Sequence, residues 1–184
     1  MTSEPLTLPQ RRHWTRDALE RLPDDGNRYE LIDGTLIVSP APARVHQRAS
    51  KQLFLLLHAG ASAGLEVFYA PFDVAMADDT VMQPDLLVAP SGAFTDRNLP
   101  TAPLLAVEIL SPSTRGVDLL LKKERLQRGG CPHYWVVDPD APSITAWTLI
   151  DGTYVEAGAA TGDETLTLTA PFDVSIVPAD LIKP

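Results

Sequence analysis

Apolar positions along this chain switch between a helical and an alternating rhythm, and the switches mark its elements. Ala18, Leu19 and Leu22 share one side of a helix predicted over 15–22, which Pro23 brings to an end. Over 29–39 the spacing predicts a hairpin. Tyr29-Glu30-Leu31-Ile32 and Thr35-Leu36-Ile37-Val38 flank Asp33-Gly34, a pair that tolerates the positive φ angles of a two-residue turn. Over 44–59 Val45, Ala49, Leu53, Leu56 and Leu57 recur at helical spacing, predicting the main amphipathic helix, with Arg44, Arg48 and Lys51 opposite. A strand-rich stretch follows over 66–76, then a turn at Ala77-Asp78-Asp79 and a strand over 85–89. The nearly continuous apolar run 104–110 reads as a buried strand interrupted by one charge, Glu108. Ser113 or Thr114 caps a helix running to Arg128, and Gly129-Gly130 stops it. Another strand is predicted over 133–137. Beyond Ser143 the chain reads as a β-meander in which Asp151-Gly152 turns a strand over 144–150 into one over 153–156.

The centre thus runs strand, strand, helix, strand, as an α/β core does, with antiparallel hairpins at both ends: a mixed α/β (α+β) class. At 184 residues, with no linker or low-complexity tract, the expectation is a single domain over 1–184. A domain of this size buries roughly 70% of the surface of its unfolded chain and needs no covalent staples. The string APFDV occurs at 70–74 and again at 170–174, but the flanks do not match and no duplication is read from it.

Charge and cysteine use narrow the function classes. With Cys131 alone, no intramolecular disulfide forms, which suits a reducing compartment. The opening stretch MTSEPLTLPQRRHW has no signal-peptide core, and no apolar run is long enough to cross a bilayer, so a cytoplasmic protein with no membrane association is expected. A net charge of -9 argues against a generic nucleic-acid binder. Two basic islands soften that objection. Arg115, Lys122, Lys123, Arg125 and Arg128 form one, and Arg44, His46, Arg48 and Lys51 the other.

Two carboxylates stand where core strands prefer apolar residues: Asp85 at the start of Asp85-Leu86-Leu87-Val88, and Glu108 within the run 104–110. A buried carboxylate costs several kcal/mol unless it is protonated, paired or bound to a metal. Two acids on neighbouring strands suit a hard cation such as Mg2+, which takes oxygen ligands and keeps several waters. A structural salt bridge from Glu108 to Arg115 or Lys122 is the plainer alternative. Asp118 and Lys122 lie four residues apart on the predicted helix, so an exposed ion pair explains them simply. The functional alternative has Lys122 reaching over the sheet toward Glu108.

Gln83-Pro84-Asp85, Val107-Glu108-Ile109-Leu110-Ser111-Pro112-Ser113 and the run KKERLQRGGCPHYWVVDP over 122–139 resemble the bacterial putative restriction endonuclease family, a branch of the PD-(D/E)XK nucleases. Tyr29-Glu30-Leu31-Ile32-Asp33-Gly34 and Ser39-Pro40 followed by His46 resemble its first two motifs, so the likeness spans about residues 6–147. It implies a restriction-endonuclease-like core, a central mixed β-sheet flanked by helices. It also implies metal-dependent phosphodiester hydrolysis by a DNA endonuclease using Mg2+ or Mn2+. The implied ligands are Asp85, Glu108 and the Ile109 carbonyl; Lys122 is the group that stabilises the phosphate and positions water, and Glu30 is an additional acid. His46, Arg115 and Lys123 are candidate substrate-binding residues. Two departures stand out. Leu110 occupies the position of the superfamily's usual lysine, whose role passes to Lys122, and Leu126 stands where relatives commonly carry tyrosine. A homodimer is expected from the need to cut two strands across a two-fold axis.

Other chemistries find no support. Gly129-Gly130 ends a helix and does not open one, so it is no phosphate loop. His13, His58 and His133 are isolated, and a single cysteine gives no zinc spacing. Trp14, Trp135 and Trp147 are read as core residues. Two competing functions remain: a catalytically inactive nucleic-acid- or protein-binding module on the same fold, and a small-molecule-binding β-rich domain whose acids are structural.

Overall fold

Both aspartate-glycine pairs turn the chain as their composition demands. Asp33 and Gly34 have φ of 46° and 74°, Asp151 and Gly152 of 48° and 78°, the left-handed pair that matches strand twist in a two-residue hairpin. The protein, a computed structural model, is described over residues 13–183; residues 6–12, to which the family likeness extends, lie outside.

In chain order the elements are α1 (Arg16–Leu19), β1 (Arg28–Ile32), β2 (Thr35–Ser39), α2 (Arg44–Gly60), β3 (Leu65–Tyr69), β4 (Asp73–Ala77), β5 (Thr80–Met82) and β6 (Leu86–Pro90). There follow β7 (Asn98–Leu99), β8 (Leu105–Ile109), a π-helical segment (Val117–Lys122) continuing as α3 (Lys123–Arg128), β9 (His133–Asp138), β10 (Ser143–Ile150), β11 (Thr153–Thr161), β12 (Leu166–Leu168), β13 (Val174–Ile176) and α4 (Pro178–Leu181).

The strands form a six-stranded sheet in the order β11-β10-β9-β8-β6-β3, a five-stranded sheet in the order β2-β1-β5-β4-β7, and the small pair β12-β13. Both large sheets are mixed: β8 runs parallel to β9 and β4 parallel to β7, the remaining pairs being antiparallel. Strand alternation divides the core. Leu105, Val107 and Ile109 of β8 join Ala49, Leu53 and Leu57 of α2 in the main apolar cluster, which β12, β13 and α4 complete. Ala106 and Leu110 point the other way, to Leu126 and Tyr134 and, from the five-stranded sheet, Ile32 and Met82. The six-stranded sheet therefore has α2 on one face and the five-stranded sheet with α3 on the other.

Several expectations are corrected. The helix over 15–22 shortens to α1, and the single stretch over 66–76 divides, β3 going to one sheet and β4 to the other. The strands β5, β7, β12 and β13 are too short for periodicity to find. The buried stripe of α2 is His46, Ala49, Leu53 and Leu57, so Val45 and Leu56 lie off it. The helix ending at Arg128 carries the widened π turn over Val117–Lys122. There the Tyr134 hydroxyl donates to the Asp118 carbonyl at 2.7 Å, and a foreign donor inserted into a helical ladder is one cause of such widening. Among the described residues no helix is long and apolar enough to cross a membrane.

Candidate active site

Alternation also gathers the charges. On β6, Leu86 and Val88 face α2 while Leu87 and Ala89 face the other side, so Asp85, one step before Leu86, shares the side of Leu87. On β8, Glu108 falls between Val107 and Ile109 and points with Ala106 and Leu110. The pairing Leu86↔Val107 sets Asp85 beside Glu108. On β1, Leu31 packs outward with Val81, which turns Arg28, Glu30 and Ile32 inward onto this same side. Asp118 and Lys122, four residues apart, share a face of the helix with Leu126, and all three are buried. Four separate elements thus deliver their charges to one place.

Lys122 is the hub. Its ammonium lies 2.8 Å from Glu30 Oε1, 3.1 Å from Glu108 Oε1 and 3.5 Å from Asp118 Oδ1. Its side chain is 1% exposed. Glu30 Oε1 also accepts the Gln83 amide at 2.7 Å, and the Thr114 hydroxyl donates to Asp118 at 2.7 Å. Asp85 forms the second centre. Its Oδ2 accepts the Ile109 amide at 2.8 Å and lies 3.1 Å from His46 Nε2. Its Oδ1 takes Arg28 Nη1 at 2.9 Å. The Arg28 Nε stands 3.7 Å from Glu30 Oε2, which links the two centres.

Burial and mutual charge set the acidities. Burial works against the Lys122 ammonium, but Glu108, Glu30 and Asp118 together raise it above the ordinary lysine value, so it stays a cation. Burial would raise the Asp85 carboxyl too, yet the His46 contacts and then the charges of Arg28 and Lys122 hold it well below the usual carboxylate range. Burial pushes Glu108 well up; Lys122 opposes this, and Asp118, Asp85 and Glu30 add to it. Asp118 is raised for the same first reason, burial.

Among the described residues no three His, Cys, Asp or Glu side chains stand ready to hold a metal ion. The acids are drawn onto Arg28 and Lys122 instead. The donor chemistry nevertheless fits a hard divalent cation. Glu30 Oε2, Glu108 Oε2 and Asp118 Oδ1 are buried without a hydrogen-bond partner, and buried oxygens of this kind are costly unless something claims them. Four carboxyl groups (Glu30, Asp85, Glu108 and Asp118) surround two fixed cations (Arg28 and Lys122), so acidic groups outnumber the basic ones that hold them.

The sequence-predicted residues divide into two groups. Glu30, Asp85, Glu108 and Lys122 converge, and His46 joins them from the first turn of α2; Ile109 contributes its amide to Asp85. Arg115 does not converge: it pairs with Asp138 at 2.6 Å and not with Glu108. Lys123 lies 3.6 Å over the Trp147 ring. The Asp118–Lys122 pair, expected on the surface, is buried. Sequence reasoning missed Arg28 and the role of Asp118. Extending the alternation of the Asp33-Gly34 hairpin one residue before Tyr29 puts Arg28 on the face of Glu30, but nothing in the sequence says that this face is buried.

A cleft of about 760 Å³ opens onto one end of the cluster. Arg28, His46 and Asp85 line it, with Tyr29, Tyr69 and Gln83, whereas Glu30, Glu108 and Lys122 lie behind its wall. Most of the first basic island is engaged by acids of the chain itself. Arg125 and Arg128 both pair with Asp33.

These two mixed sheets around a buried charge cluster make up a restriction-endonuclease-like nuclease fold. The chain belongs to the Uma2 family, described as "Putative restriction endonuclease", whose sequence profile matches residues 16–179. Its fold is shared by a crystal structure from Anabaena variabilis described as a putative nuclease belonging to DUF820. That structure superposes with a TM-score of 0.72 at 19% identity, over 92% of this chain and 97% of that one. No curated protein matches the chain.

Proposed function

We propose that this protein hydrolyses phosphodiester bonds in DNA with the help of Mg2+ or Mn2+. The observation that carries the reading is the convergence of Glu30, Asp85, Glu108 and Lys122 beside a cleft, with buried carboxylate oxygens that lack hydrogen bonds. Asp85 and Glu108, with the Ile109 carbonyl, would hold the cation, and Glu30 stands beside them. Bound there, a divalent cation supplies Lewis acidity toward a phosphodiester oxygen and toward water. Lys122 keeps its proton across the physiological range and brings a fixed positive charge against the charge that develops on the phosphate. Its three carboxylate contacts fix its position behind the wall of the cleft. No nucleophilic side chain is required. The Cys131 thiol is buried, and burial pushes it up to about 11.

The test is Mn2+ titration and plasmid nicking with wild type, Asp85→Asn and Glu108→Gln. Cation binding and nicking in the wild type, both lost in each variant, is the expected result. A second reading, a binding module without turnover, is favoured by one observation. Leu126, at the position where the family resemblance implies a tyrosine, is fully buried in the apolar cluster and offers no hydroxyl. Cation binding without nicking of DNA or RNA selects that reading. A two-fold dimer would set two such sites on opposite strands, and light scattering showing only monomer in the presence of DNA would exclude it.

A further inference from the structure

We propose that Arg28 and the divalent cation are alternative occupants of the same oxygens. In this account Arg28 bridges Asp85 and Glu30 until the cation displaces it, and its guanidinium then turns into the cleft to meet the substrate phosphate. The proposal rests on the metal-dependent reading above and adds a residue to it.

The oxygens of Asp85 are not equivalent. Oδ2 holds the Ile109 amide at 2.8 Å and faces His46 Nε2 at 3.1 Å, so it is fully engaged by neighbours fixed in a strand and a helix. Oδ1 has a single side-chain partner, Arg28 Nη1 at 2.9 Å. A cation reaching Asp85 must therefore take Oδ1 from Arg28. The same guanidinium stands 3.7 Å from Glu30 Oε2, an oxygen without a hydrogen bond, and Glu108 Oε2 is likewise unclaimed. Burial lowers the Arg28 basicity, but Glu30, Asp85 and Glu108, in that order, more than restore it. Its charge is thus held by the three acids that a metal would need. A divalent cation on Asp85 Oδ1 and a guanidinium held 2.9 Å from that same oxygen would repel strongly.

Arg28 is also the cation able to leave. Lys122 is 1% exposed and held by three carboxylates, whereas Arg28 is 21% exposed and lines the cleft. Its long stem lets the head swing outward with little backbone change. Outside, a planar guanidinium is well shaped for a phosphate, with two parallel donors. A purely structural salt bridge would behave otherwise: its removal would leave the affinity for a phosphate-bearing ligand unchanged.

The experiment is Mn2+ calorimetry on the full chain as wild type, Arg28→Gln and Arg28→Lys, with thermal melts to confirm folding. Anisotropy of a short single-stranded oligonucleotide in saturating Ca2+ accompanies it. Removing a competitor raises the competent fraction, so Arg28→Gln is expected to bind Mn2+ about tenfold tighter, with Arg28→Lys between it and the wild type. The oligonucleotide should bind Arg28→Gln about tenfold more weakly, since one charge-assisted pair is lost. Equal or weaker Mn2+ affinity in Arg28→Gln overturns the proposal, as does unchanged oligonucleotide affinity. If Arg28→Gln melts below the assay temperature, Arg28→Lys decides alone, tighter Mn2+ binding supporting the exchange and equal or weaker binding overturning it. Mn2+ binding by Arg28→Gln but not by the wild type supports the exchange. No binding by either removes the metal reading itself, and this proposal with it.

Discussion

The two faces of the six-stranded sheet are built by the same strands and have opposite chemistry. Toward α2, alternate residues give Leu86, Val107, Ile109, Trp135 and Val137, packed on Leu53 and Leu57. On the other side the neighbouring positions give Asp85 and Glu108, met by Glu30, Asp118, Lys122 and Arg28. The first face gains from apolar burial, about 25 cal/mol per Å² removed from water. The second gives up that gain at two strand positions and buries oxygens without hydrogen-bond partners. A charged face of this kind is weak evidence of stability, because desolvation offsets much of the attraction between its ions. The apolar core lies on one side and the candidate site on the other, and substitutions on the two faces should therefore fail in different ways.

Removing the hub is expected to have the largest effect. Lys122→Met leaves Glu30, Glu108 and Asp118 buried without their shared cation. Urea unfolding should show a loss of about 3–5 kcal/mol, the range for stripping one partner from a buried ion pair. Nicking should fall by about 10²–10³, as for the loss of a single fixed transition-state stabiliser. A variant as stable as wild type would show that the acids simply take up protons, and the contrast between the faces would lose its electrostatic basis.

On the opposite face, Leu53→Ala removes a fully buried side chain from α2. The expected cost is about 2–5 kcal/mol from lost transfer energy and the cavity left behind. The midpoint of urea unfolding should drop while Mn2+ affinity measured on the folded protein stays at the wild-type value. A changed affinity would mean that the two faces are coupled through the sheet.

How much of this division could be read in the sequence differed between the faces. The hairpins at Asp33-Gly34 and Asp151-Gly152 and the strand around Glu108 were legible because turn chemistry and apolar runs are local signals. The acids Asp85 and Glu108 were legible as violations of that pattern, and Glu30 and Lys122 through family resemblance. Arg28 was not, since an arginine at a strand start is unremarkable until the strand is placed against a second sheet. Asp118 was misplaced on the surface for a related reason. Spacing of four residues says that two side chains meet, not whether their shared face is buried. Arg115 shows the converse: it belongs to the basic island but spends its charge on Asp138.

Glu108→Gln separates function from stability on the charged face. Burial, reinforced by Asp118, Asp85 and Glu30, disfavours the ionised Glu108 carboxylate. The neutral amide removes that penalty, while Lys122 keeps Glu30 at 2.8 Å and Asp118 at 3.5 Å. Without added metal the variant should lie within about 1 kcal/mol of the wild type, because the desolvation cost removed offsets the attraction to Lys122 that is lost. Mn2+ binding should be abolished. A large destabilisation instead would make Glu108 a structural partner of Lys122 first and a ligand second.

The smallest effect belongs to an ion pair at the surface, Arg115 with Asp138, and it calibrates the others. Burial acts to raise the Asp138 carboxyl, but the Arg115 hydrogen bond, the Ala141 and Asp140 amides and the Arg115 charge outweigh it, so its value is lowered. A carboxyl depressed in the folded state stabilises fully above its unfolded value of about 3.9 and loses that contribution as pH falls through the folded value. Asp138→Asn keeps an oxygen that can accept the Asp140 and Ala141 amides, both at 3.1 Å, and so removes chiefly the pairing with Arg115. Arg115 is 54% exposed, so solvent screens the pair. The cost near pH 7 should therefore be no more than about 1 kcal/mol. It should shrink in about 1 M salt, where screening acts over about 3 Å. Once the pH falls below the depressed folded value the two proteins should unfold alike, because the wild-type carboxyl is then protonated in both states. A cost matching that of Lys122→Met, or one that persists in acid, would show that exposure is not what separates this pair from the buried cluster.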